Sequence, residues 1–118
     1  LHAICDALLG AASLGDIGSH FPDNKKKYKG IDSKILLKEV KELITKEGFH
    51  IENIDSVICI EKPKLSSQIS NMKMSIAKVL DISPNNTSVK ATTHENTGPV
   101  GRGEAMEAHA IALISKEA

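Results

Sequence analysis

Residues 54 to 92 constrain the fold more than any other part of the chain. Ile54-Asp55-Ser56-Val57-Ile58-Cys59-Ile60 is rich in β-branched residues and reads as a strand. Lys62-Pro63-Lys64 breaks it. A helix follows, with Ser66 or Ser67 as its cap, and Ile69, Met72, Ile76, Val79 and Leu80 recur at helical spacing down to an end near Asp81. Pro84-Asn85-Asn86 is a turn, and Ser88 to Thr92 is a second strand. Strand, helix, strand in that order is a βαβ unit, which argues for an α/β domain.

The flanks add helices. Leu1 to Leu14 carries Ile4, Leu8 and Ala12 on one stripe, with Leu1, Cys5 and Leu9 beside it, so it predicts a largely buried helix ended by Gly15. Asp16 to Asp23 and Asn24 to Asp32 read as loops. Ser33 is the expected cap of a helix running to about Glu47, with Leu36, Leu37, Val40, Leu43 and Ile44 inward and Gly48 just past its end. Thr93 to Gly103 is a loop with three glycines. Glu104 to Ile114 is ambiguous. Its alanines favour a helix, while the alternation of Met106, Ala108, Ala110, Ala112 and Ile114 with Glu107, His109, Ile111 and Leu113 fits a strand.

At 118 residues the chain is expected to form a single domain, 1–118. It opens without Met and already reads as helix interior, with no visible N-cap, so residues upstream of Leu1 are expected. Lys plus Arg equals Asp plus Glu, which counts against nucleic-acid binding, as do the few aromatics. The lysine run at Lys25, Lys26, Lys27 and Lys29 is either a solvated loop or an anion attractor. No stretch has the length of a membrane span or the pattern of a signal peptide. Cys5 and Cys59 read as buried thiols, which places the chain in a reducing cytoplasm or a plastid-type organelle stroma.

Four places carry side chains suited to chemistry. His2 and Asp6 lie four apart on one helix face. They are either a hydrogen-bonded edge pair or an imidazole metal ligand backed by a carboxylate. Gly15-Asp16-Ile17-Gly18 and Phe21-Pro22-Asp23 form a polar loop that is either an ordinary turn or a cradle for an anion or a sugar hydroxyl. Thr92-Thr93-His94-Glu95 comes directly off a strand end, followed by Gly101-Arg102-Gly103-Glu104. Hydroxyls and amides can hold phosphate oxygens, a carboxylate such as Glu95 can hold Mg²⁺, and a guanidinium binds phosphate directionally. The competing reading is a salt-bridged surface turn. Lys62-Pro63-Lys64, at the other strand end, either lines a nucleotide pocket or is solvated.

These segments together resemble the 2-C-methyl-D-erythritol 2,4-cyclodiphosphate synthase family, the zinc-dependent cyclising enzymes of the non-mevalonate isoprenoid pathway. The resemblance rests on Leu1-His2-Ala3 through Asp6-Ala7-Leu8-Leu9-Gly10, Gly15-Asp16-Ile17-Gly18, His20-Phe21-Pro22-Asp23, Lys62-Pro63-Lys64, Val89-Lys90-Ala91-Thr92-Thr93, Glu95 and Gly101-Arg102-Gly103-Glu104, in order along nearly the whole chain. It implies a ferredoxin-like two-layer sandwich of a mixed sheet and helices, with Glu104 to Ile114 as its last strand, and a homotrimer with sites between subunits. The implied reaction converts 4-diphosphocytidyl-2-C-methyl-D-erythritol 2-phosphate into the cyclic diphosphate and CMP.

Residue by residue, the resemblance makes His2 a ligand of zinc or another divalent cation. Asp16, Ile17, Gly18, Phe21 and Asp23 contact the methylerythritol phosphate. Pro63, Lys64 and Leu65 hold the cytidine. Thr92 and Thr93 lie near the diphosphate, Glu95 holds magnesium or manganese, and Arg102 meets the phosphates; Thr93, Glu95 and Arg102 are the catalytic set. The family pattern begins with a strand bearing two more zinc ligands, so the chain is expected to lack roughly the first 40 residues of that pattern and to be impaired as it stands. The alternative is an inactive nucleotide-binding or oligomerisation module. Pro99 stands where the family commonly has an aromatic, and Lys62 where it often has a small residue.

Overall fold

The computed structural model describes residues 1–22, 25 and 30–116. Asp23 and, within the lysine run, Lys26, Lys27 and Lys29 lie outside the described residues. Helices α1 (His2–Ala11), α2 (Ile17–His20) and α3 (Ser33–Lys46) precede strand β1 (Phe49–Cys59). Helix α4 (Ile69–Leu80), a 3-10 turn over Pro84–Asn86, β2 (Thr87–Thr92), α5 (Gly98–Gly101) and β3 (Glu107–Lys116) follow.

The βαβ unit forms as expected. Strands β1 and β2 are parallel, from Ile54 opposite Thr87 to Cys59 opposite Thr92. Strand β3 pairs antiparallel along the other edge of β1, giving the order β2-β1-β3. The mixed sheet carries α1, α3 and α4 on one face, the two layers of an α/β sandwich. Leu8 and Leu9 from α1, Leu37 and Ile44 from α3, Leu80 from α4 and Ile54 from β1 meet between them and are fully buried. Each such side chain contributes about 1.5–3 kcal/mol relative to exposure.

The last element is a strand. Ala110, Ala112 and Ile114 pack on the core while Ile111 and Leu113 point away, 75% and 62% exposed. Pairing also lengthens β1, which begins at Phe49 rather than Ile54 because Phe49 finds a partner in Lys116.

Helix ends depart from the sequence reading in three places, and two expected loops contain a helical turn. Helix α1 stops at Ala11, before Gly15, because Ser13 takes a left-handed φ of 59° and the amides of Ser13 and Leu14 return to the carbonyls of Gly10 and Leu9. The cap of α3 is Asp32, whose Oδ1 accepts from the Lys34 amide, and Ser33 is already helical. Neither Ser66 nor Ser67 caps α4. That helix starts at Ile69 after a turn in which the Leu65 carbonyl accepts from the amides of Gln68 and Ile69. The two loops expected around Asp16 and Thr97 each contain a single helical turn, α2 and α5.

Candidate functional site

The parallel strands end side by side, and the loops leaving them hold Pro63, Lys64, Leu65, Thr93 and Glu95 of the expected site. Strand β1 exits through Ile60 and Glu61 to a cis peptide between Lys62 and Pro63. Pro63 and Lys64 are exposed, and Leu65 is half-buried where it starts the approach to α4. Strand β2 exits through Thr92 into the turn 93–97.

That turn is held by side chains acting on backbone. One oxygen of the Glu61 carboxylate accepts from the His94 amide at 3.3 Å, the other from the Asn96 amide at 3.2 Å. Thr93 Oγ1 accepts from the Glu95 amide at 3.2 Å. The Thr97 amide and hydroxyl both donate to the His94 carbonyl. These bonds offset a local cost, since Glu95 and Asn96 sit at φ of 52° and 63°, the left-handed region that costs about 1–2 kcal/mol per residue. Helix α5 then closes tightly on the turn. A Cβ on Gly101 would lie 2.4 Å from the Asn96 carbonyl carbon, so only glycine fits there.

The carboxylate of Glu95 and the hydroxyl of Thr93 therefore belong to one fixed, exposed turn, and Thr92 is the exposed strand residue leading into it. Arg102 is exposed at the C-cap of α5, and its Nε donates to both carboxylate oxygens of Glu104, at 3.1 and 3.0 Å. This is the salt-bridged arrangement weighed above for that segment. At 57% and 54% side-chain exposure the pair is weak, so an incoming phosphate can compete for the guanidinium.

The Asp16 loop is built off α1. Asp6 Oδ1 accepts from the Ile17 amide at 2.9 Å, tying α2 to the helix. Asp6 thus holds the loop rather than orienting His2, whose Nε2 lies 3.4 Å from Ser33 Oγ. Asp16 caps α2 by accepting from the Ser19 amide and hydroxyl, each at 2.9 Å. These two bonds, with His20 nearby, hold its carboxyl below the usual carboxylate range. His20 Nε2 lies 2.6 Å from the Leu14 carbonyl. Gly18 is exposed beside this cap, and Ile17 and Phe21 are half-buried against the core.

His2 is exposed on α1 and can offer a ring nitrogen to a cation. Among the described residues no second and third histidine, cysteine or carboxylate gather around it or around Glu95. For Glu95 that suffices, since Mg²⁺ is commonly held by one or two carboxylates with water and substrate phosphates. For His2 it supplies one ligand of the three or four a zinc ion takes.

Two features escaped the sequence reading. One is Glu61, the organiser of the turn. A carboxylate directly after a strand is the only signal it leaves, and what it binds depends on which loop the sheet places beside it. The other is a convergence of Cys59, His94 and Glu107, whose ligand atoms all lie within 4.8 Å of one another. The cleft between the helices and the sheet, about 460 Å³, is lined by Leu1, Ile4, Leu37, Ile58, Met72 and Val79 among others, and by none of the expected site residues.

Comparison with known proteins gives the family. The YgbB family model matches residues 1–115. The 2-C-methyl-D-erythritol 2,4-cyclodiphosphate synthase of Chlorobium phaeobacteroides is 55% identical over 114 residues, covering 97% of this chain and 72% of that protein. Among solved structures, the bifunctional IspDF of Campylobacter jejuni superposes with a TM-score of 0.94 at 38% identity, over 98% of this chain and 31% of that one. The IspF of Plasmodium falciparum in its CDP complex gives 0.86 at 35% identity, over 99% and 70%. Matched by that family model over residues 1–115 and, over nearly its full length, 55% identical to a curated relative, the chain belongs to the YgbB family, that of the 2-C-methyl-D-erythritol 2,4-cyclodiphosphate synthases.

Proposed function

We propose that the protein makes 2-C-methyl-D-erythritol 2,4-cyclodiphosphate by intramolecular phosphoryl transfer in isoprenoid precursor synthesis. The observation that carries this reading is the pinned turn after β2, with Thr93, Glu95 and Arg102, in a member of this family. An oxygen of the substrate's 2-phosphate attacks the β-phosphorus of the diphosphocytidyl group. A new P–O bond forms, the bond from the β-phosphorus to the bridging oxygen breaks, and that oxygen leaves with its electron pair on CMP. No protein nucleophile is required, so the chain's work is positioning and charge neutralisation.

Asp16, Ile17, Gly18, Phe21 and Asp23 take the methylerythritol phosphate, with Asp16 fixed by its bonds to Ser19. Pro63, Lys64 and Leu65 take the cytidine, and a nucleotide ligand is in keeping with the CDP complex of the P. falciparum relative. Thr92 and Thr93 hold diphosphate oxygens through hydroxyls and amides, and Arg102 exchanges Glu104 for a phosphate. Divalent cations, zinc or a like ion at His2 and magnesium or manganese at Glu95, draw charge off phosphate oxygens when bound. The working form is a homotrimer with sites between subunits, supported by the apolar side chains of Ile111 and Leu113 on the sheet face turned away from the helices.

The test is turnover of 4-diphosphocytidyl-2-C-methyl-D-erythritol 2-phosphate with Mg²⁺, with CMP release and the cyclic product followed together. Arg102→Met is expected to lower kcat/KM by about 100-fold, the scale for losing one donor to developing charge. Glu95→Gln is expected to lower it and to raise the Mg²⁺ concentration needed for half-maximal rate. CDP binding by calorimetry tests the nucleotide segment separately. Hydrolysis of the substrate to CMP and the open 2,4-bisphosphate, or CDP binding indifferent to Pro63→Ala and Lys64→Ala, would count against the assignment.

A further inference from the structure

Cys59, His94 and Glu107 come from the ends of three different strands. Cys59 closes β1 and Glu107 opens β3, and the two are cross-strand partners, so their side chains share the sheet face opposite the helices. His94 follows β2, whose last residue, Thr92, is the other partner of Cys59. The backbone of His94 is fixed at both polar groups. Its amide donates to Glu61 at 3.3 Å, and its carbonyl accepts from Thr97. His109, two residues along the same face, places Nε2 at 3.4 Å from Glu107 Oε2 and steadies that carboxylate.

We propose that Cys59, His94 and Glu107 form a further metal site, distinct from those at His2 and Glu95, that takes a borderline-soft divalent cation of the zinc type. One sulfur, one imidazole and one carboxylate suit such an ion, and hard cations disfavour the thiolate. Tetrahedral bonds of about 2.0–2.3 Å put ligand atoms roughly 3.3–3.7 Å apart. With every pair of ligand atoms within 4.8 Å, the closure needed is at most about 1.5 Å, within reach of one side-chain rotation at the exposed Glu107. Burial is graded from Cys59, buried, through His94, half-buried, to Glu107, exposed. A cation enters from the carboxylate side and meets a preset sulfur and nitrogen. Binding releases the Cys59 thiol proton to solvent, and a fourth coordination position stays open to water or a ligand oxygen.

The experiment is a Co²⁺ titration of the purified, chelator-stripped protein, followed by absorption. A saturating sulfur-to-cobalt charge-transfer band in the near ultraviolet is expected, displaced by one equivalent of Zn²⁺. The band should persist in Cys5→Ala, His2→Ala and Glu95→Gln and vanish in Cys59→Ser. His94→Ala and Glu107→Gln should each weaken Co²⁺ binding at least about 10-fold. These last two substitutions lie toward the surface, so they decide the matter even if Cys59→Ser folds poorly. Absence of the band overturns the proposal. So does a band that survives both His94→Ala and Glu107→Gln at full affinity, since that is adventitious thiol binding. None of these readouts depends on turnover, so failure here leaves the cyclase reading standing.

Discussion

Two single residues fix local geometry through different physics. Gly101 is required for space. Its missing Cβ is filled by the Asn96 backbone at 2.4 Å, and backbone cannot step aside as a flexible side chain could. Gly101→Ala is expected to destabilise the protein by about 1–3 kcal/mol, read as a lower urea midpoint. Asp16 acts through charge. Its two bonds from Ser19 depress its carboxyl below the ordinary range, so the stability it contributes is present above the unfolded pKa and lost as pH falls through the folded one. The melting temperature of Asp16→Ala should lie below that of the parent at neutral pH, and the two should converge once the medium is more acidic than the depressed value. A gap that persists unchanged in strong acid would contradict the assignment. Of the two cysteines, Cys5 is sealed in the core, and burial pushes its thiol up to about 11. That leaves Cys59 as the thiol next to exchangeable side chains.

At the scale of elements, strand ends govern the site. Glu61 and the turn 93–97 meet because β1 and β2 are adjacent and parallel, so both chains leave the sheet in the same place. Glu61→Ala removes the acceptor for two amides in a turn that already carries two left-handed residues. The expected result is faster hydrogen exchange at His94 and Asn96 and a loss of about 1–3 kcal/mol. Unchanged exchange at both amides would mean that the turn holds itself. Strand β3 shows why the segment after Gly103 was hard to read. Alanine is the best helix former, and a strand with Ala108, Ala110 and Ala112 among its ten residues contradicts local propensity. The alternation was nevertheless present, with Ala110, Ala112 and Ile114 inward and Ile111 and Leu113 outward. The free edge of β1 settled the matter by offering a ladder of hydrogen bonds that no isolated segment has.

For the whole molecule, the sheet has one face under helices and another carrying Ile111 and Leu113 at 75% and 62% exposure. If subunits pack through that face, Ile111→Glu with Leu113→Glu should lower the mass seen by light scattering from trimer to monomer while leaving the helical circular dichroism intact. An unchanged mass would send the interface elsewhere. The sequence by itself determined the α/β class, the βαβ unit, the core stripes on α1, α3 and α4, and the family, because hydrophobic periodicity and turn residues are local and in-register motifs survive along a chain. It also singled out His2, Asp16, Lys64, Glu95 and Arg102 as candidates from their chemistry. Only the tertiary structure decided that Asp6 serves the Asp16 loop instead of His2, and that Glu61 organises the turn holding Glu95. The convergence of Cys59, His94 and Glu107 likewise exists only once three strands are in register. These partnerships join residues 11 to 48 positions apart in the chain. Distance along the chain carries no information about them, and a hydrogen-bond or ligand partner is chosen by whichever backbone the sheet brings near.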